Sequence, residues 1–134
     1  MKDIAIASVP MQPWETPYCP QEALRQGTTF PMLKKPFYVE CQQPPLKFRT
    51  RNACEAALLE IQQLGFYITD LTLFLDTHPC EPQATAMRAE MQQKLTMLRD
   101  QFAKNYYPLD MFQQGNNNQC EVVPWEGGTM NVGL

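Results

Sequence analysis

Residues 52–79 read NACEAALLEIQQLGFYITDLTLFLDTHP, and their spacing decides the fold. Ala57, Ile61, Leu64, Ile68, Leu71 and Leu75 recur at steps of 4, 3, 4, 3 and 4. That rhythm places all six on one face of an α-helix. Asn52 followed by Glu55 matches a capping box, in which each side chain satisfies a free backbone N–H of the first turn. The helix is expected to stop near Asp76-Thr77-His78-Pro79, because a proline disfavours helical geometry at the residue before it.

A second helix is expected from Pro82, a residue suited to the first helical turn. Its apolar face reads Ala84, Met87, Met91, Leu95, Leu98, Phe102 and Tyr106, and Pro108 closes it. Each helix would be roughly 35 Å long at 1.5 Å per residue. The short link at Asp76–Glu81 makes an antiparallel hairpin the natural arrangement. Leu58, Leu59, Phe66, Tyr67, Leu73 and Phe74 flank the main stripe of the first helix. Two helices cover only one side of each other, so this excess needs the N-terminal arm, a second copy or another protein to cover it.

Composition changes on either side of the hairpin. Eight of the twelve prolines (Pro10, Pro13, Pro17, Pro20, Pro31, Pro36, Pro44 and Pro45) precede residue 46. Proline fixes φ and lacks an N–H, which excludes a long helix or central strand there. Residues 1–49 therefore read as an extended Pro-rich arm with one short helix at Gln21–Gln26, between Pro20 and Gly27. Trp14, Tyr18, Phe30, Met32, Leu33, Phe37, Tyr38 and Phe48 punctuate this arm, and such side chains seek a groove. Trp14, Phe30 and Phe37 are the anchors expected to carry affinity for a partner. Residues 109–134 read as an irregular tail in which Trp125, set between Pro124 and Gly127, is a further candidate docking contact. The division is thus 1–49 arm, 50–108 hairpin and 109–134 tail, in a mainly α protein.

Charge and chemistry narrow the function. The net charge is −3 and the basic residues are scattered apart from Lys34-Lys35, which gives no footprint for nucleic acid or an anionic bilayer. No apolar run approaches the roughly 20 residues that span a membrane. Met1 to Pro10 lacks the pattern of a signal peptide, so a cytoplasmic chain is expected. Five widely spaced cysteines (Cys19, Cys41, Cys54, Cys80 and Cys120) form neither a CxxC motif nor an even disulfide set.

His78 is the only imidazole, placed where a histidine bonds the last carbonyls of a helix. With Cys80 it supplies half a zinc site and no more, which leaves a metal- or redox-active protein as an alternative reading. Asp70 and Asp76 lie about 120° apart around the helix, a poor arrangement for an acid–base pair. No phosphate-cradling loop and no nucleophile motif occurs. No cofactor and no catalytic residue is expected.

The stretch Leu73-Phe74-Leu75-Asp76-Thr77-His78-Pro79, with Asn105-Tyr106-Tyr107-Pro108-Leu109 and Pro124-Trp125-Glu126, resembles the CotJB spore coat family over about residues 52–126. The stretch Pro20-Gln21-Glu22-Ala23-Leu24-Arg25-Gln26-Gly27-Thr28-Thr29-Phe30-Pro31-Met32-Leu33, ending at Lys35-Pro36-Phe37, resembles a second coat family, CotJA. Members of the two are normally separate chains, so this would be a fusion.

The resemblance implies a structural assembly protein of the bacterial endospore coat, made in the mother cell. It also implies a manganese-catalase-like coat protein as partner. The Leu75-Asp76-Thr77-His78-Pro79 turn transfers only as a family signature, with a structural or docking role, and the metal would belong to the partner. A self-assembling scaffold without an enzyme partner is the other alternative.

Overall fold

The computed structural model describes residues 10–35, 47–113 and 132–133. Three α-helices carry it: α1 (Pro20–Gln26), α2 (Ala53–Thr77) and α3 (Pro82–Asn105). The expected hairpin is present, with α2 and α3 packed on each other and the arm against α2. Extended pairing among the described residues is confined to Lys47–Phe48 (β1) against Val132–Gly133 (β2), antiparallel and too short to form a layer.

Local chemistry sets each boundary. α1 begins at Pro20 and ends at Gly27, whose φ of 75° is the left-handed turn that glycine adopts without a Cβ clash. Pro31 opens a single 3₁₀ turn, Pro31–Leu33, which the sequence reading passed over as extended chain. Asn52 caps α2, its Oδ1 accepting the Glu55 N–H at 2.8 Å. The reciprocal half of the box is displaced by one residue. The Glu55 carboxylate accepts the backbone N–H of Arg51 at 2.7 Å and pairs with its guanidinium at 2.8 Å. These bonds hold the Glu55 carboxyl below its ordinary range. Glu81 caps α3 ahead of Pro82, and Tyr106 ends it with its N–H on the Phe102 carbonyl at 2.8 Å.

The core has two ends. At the turn end, Tyr67, Leu71, Phe74 and Leu75 of α2 meet Ala84 of α3 and Ala23 and Phe30 of the arm, with Trp14, Tyr18, Met87 and Met91 around them. At the far end Ile61 and Leu64 are buried on α2, and Phe102 and Ala103 on α3. Phe102 is flanked there by Tyr106 and Tyr107, with ring centroids 5.0 and 5.1 Å away.

Packed between arm and α3, α2 buries seven residues against three on α3, which accounts for its surplus of apolar side chains. The surplus is divided. Tyr67 and Phe74 are buried under the arm, Leu58, Leu59 and Phe66 are half-buried, and Leu73 remains exposed.

Candidate functional site

The seam between the arm and the turn end of the hairpin brings together most of the described residues that the sequence singled out. Four rings run through it in order. Trp14 meets Phe30 edge-on at 6.1 Å and Phe74 at 5.5 Å, and Phe30 lies 4.9 Å from Phe74. The His78 imidazole stacks on Phe74 at 4.2 Å, the planes 1° from parallel. Offset and edge contacts of this kind add to the area each ring buries.

Polar bonds fix the register of the seam. The Thr29 N–H donates to Asp70 Oδ2 at 2.7 Å, a charge-assisted bond from the arm to the C-terminal third of α2. The Trp14 indole N–H donates to the side-chain oxygen of Gln83 at the start of α3. Within the arm, Tyr18 N–H reaches the Thr29 carbonyl at 2.9 Å and Met32 N–H reaches Glu15 at 2.8 Å. The arm is thus closed on itself as well as on the hairpin.

Tyr67 lies beneath the seam, its hydroxyl 3.1 Å from Met87 Sδ. Burial, and secondarily the nearby Cys19 thiol, push its pKa up to about 12.

The turn itself divides by residue. Leu75 is buried, Asp76, Thr77, Pro79 and Cys80 are exposed, and His78 is half-buried. The His78 N–H and the Thr77 hydroxyl both donate to the Phe74 carbonyl, at 3.0 Å each. Nδ1 of His78 lies 2.8 Å from Thr77 Oγ1 and 3.1 Å from the same carbonyl. His78 therefore closes the carbonyl end of α2 and backs the Phe74 ring. Among the described residues no three of His, Cys, Asp and Glu gather as a metal site, and Cys41 and Cys120 lie outside them.

The four anchors named from sequence fare differently. Phe30 is 1% exposed and belongs to the core of its own chain, and Trp14 is half-buried beside it. A partner reaches Phe30 only by lifting the arm. Phe37 and Trp125 lie outside the described residues.

A second surface escaped the sequence reading. After α3 the chain turns at Asp110, whose Oδ1 accepts the N–H groups of Phe112 and Gln113 at 2.8 and 3.1 Å. Its Oδ2 pairs with Arg99 of α3 at 2.5 Å, and the Gln113 side chain accepts the Leu109 N–H at 3.0 Å. This ordered hook presents Met111 and Phe112 to solvent, each 89% exposed. The signal was legible: Leu109-Asp110-Met111-Phe112-Gln113 follows Pro108 and offers an aspartate two residues before a phenylalanine, the pattern of an Asx turn.

The CotJB protein family matches residues 55–126, more than half of the chain. The chain belongs to the CotJB family. A second family, spore coat associated protein JA (CotJA), matches residues 3–37. No curated protein and no solved structure matches. The aromatic seam is therefore where the two families meet: Trp14 and Phe30 come from the CotJA segment, Phe74 and His78 from the CotJB segment. The chain is a spore-coat-associated protein that carries both in one polypeptide. No helix among the described residues is long and apolar enough to cross a membrane.

Proposed function

We propose that this CotJB-family chain is a non-enzymatic assembly protein of the endospore coat that binds a manganese-catalase-like coat protein and helps to place it. It would be made in the mother-cell cytoplasm and carried from there into the coat. The observation that carries the reading is the ordered hook at Asp110. A chain whose own core already holds Phe30 and Phe74 keeps Met111 and Phe112 almost fully in water. Two adjacent large apolar side chains, held out by four hydrogen bonds and an ion pair, are suited to fill a pocket on another protein. Leu73 and Met97, each 61% exposed, extend the apolar surface available to a partner. In this reading Phe37 and Trp125 remain candidate anchors, and Trp14 and Phe30 act by shaping the arm.

The test is co-expression with the catalase-like coat protein followed by size exclusion. Co-elution at micromolar concentration is expected for the native chain, with loss for the Met111→Asp, Phe112→Asp double variant. Separate elution of the native pair sinks the proposal. Retained binding by the double variant moves the contact away from the hook.

A further inference from the structure

The arm is built like a bound peptide. It is internally closed by the Tyr18–Thr29 and Glu15–Met32 bonds, with α1 between them. It touches the hairpin through side chains and one backbone N–H, with Trp14 and Phe30 as central aromatic anchors and Asp70 as the polar lock. The far end of the hairpin has its own buried residues in Ile61, Leu64, Phe102 and Ala103, outside the cluster that holds Ala23 and Phe30 of the arm. The two parts match two separate families, with the break between residues 37 and 55.

We infer that the α2 face made by Tyr67, Asp70, Leu71 and Phe74 is a receptor for a CotJA-type arm, and that it accepts residues 10–35 of a second copy of this chain in place of its own. Exchange of an identical element between copies forms the same contacts twice, so the swapped and unswapped forms differ in free energy only through the connecting residues and the entropy of association. In a crowded layer the effective concentration of neighbouring arms is high, which favours linking copies by arm exchange. The hairpin face then recognises an indole, a short helix and a Thr-Phe-Pro segment, in that order along the arm.

The experiment uses the whole folded chain with a protease site placed within residues 36–46. After cleavage, isotope-labelled and unlabelled preparations are mixed at micromolar concentration and followed by native mass spectrometry. The arm and hairpin pieces are expected to stay together, and labelled arms to redistribute onto unlabelled hairpins. Phe30→Ala, which leaves the hairpin untouched, is expected to weaken retention by ~100-fold or more, and Phe112→Ala to leave it unchanged. Three results overturn the inference. They are separation of the pieces with the hairpin piece keeping its helical circular dichroism, arms that stay with their original hairpins, and unfolding of the hairpin on arm release.

Discussion

Replacing Leu71 by alanine tests whether the arm, α2 and α3 share one core. Leu71 is 0% exposed and sits among Ala23 and Phe30 of the arm, Tyr67, Phe74 and Leu75 of α2 and Ala84 of α3. The substitution removes three carbon atoms, worth about 2.4 kcal/mol at ~0.8 kcal/mol per buried group. Three separate elements line the site, so none can collapse into the void alone, and a cavity term raises the total to about 3–4 kcal/mol. Against a stability of about 5–15 kcal/mol that is a large share, and it lowers Tm by about 10 °C or more. Leu73→Ala is the matched control, the same chemistry two residues away at a position 61% exposed, with an expected change within about 0.5 kcal/mol. Urea unfolding followed by far-ultraviolet circular dichroism measures both. Equal losses for the two variants, or a Leu71→Ala loss under about 1 kcal/mol, refute the shared core.

Asp70→Asn keeps the shape of the lock but removes its charge; we expect a loss of about 1 kcal/mol and faster hydrogen exchange at the Thr29 amide. Tyr67 stays neutral in the folded chain up to about pH 12, whereas an unfolded tyrosine ionises near 10. Its stabilisation is therefore complete below pH 10 and declines as pH rises from 10 to 12, by at most about 1.4 kcal/mol per pH unit; alkaline urea midpoints of the native chain and Tyr67→Phe should converge on that slope. Asn52→Ala removes the α2 cap and should cost about 1 kcal/mol in the same unfolding assay. Asp110→Ala breaks the hook but only a half-exposed ion pair, so stability should change by about 1 kcal/mol or less while proteolysis after Phe112 accelerates.

The hairpin was legible because its signals are local and repeated. The 4-3 rhythm from Ala57 to Leu75, the Asn52 cap and the Pro79–Pro82 break each act within a turn or two of chain, and α2 and α3 begin where they indicate. What covers Tyr67 and Phe74 was not legible. An apolar stripe states that a face must be buried without stating by what, and three occupants fitted equally. One clue was available in Asp70. A carboxylate between Tyr67 and Phe74, three and four residues away on the same flank, needs a donor once that flank is covered, and the Tyr67 hydroxyl is turned to Met87 instead. The Thr29 amide is that donor. The same gap holds for the aromatic residues of the arm: Trp14 and Phe30 announce a groove without saying whose, and in the structure they pack against Phe74 of their own chain.

The arrangement also explains why the remaining apolar surface takes the form of projections. α2 lies between two packing partners and buries both of its flanks, so Leu73 is its one large side chain left well outside. α3 packs on α2, and its outer positions are mostly Gln, Glu, Lys and Asp, which leave Met97 as its lone exposed large hydrophobe. Neither helix then offers a broad apolar groove. The strongest exposure is on the short, hydrogen-bonded hook at Met111-Phe112, while Leu73 and Met97 stand singly on their helices and Met11 on the arm. At the seam between its two family segments the apolar side chains are instead buried, Trp14 and Phe30 of the arm packing on Phe74 of α2. One chain therefore shows both outcomes of apolar patterning, an α2 face filled from the arm and a hook whose Met111 and Phe112 stay exposed.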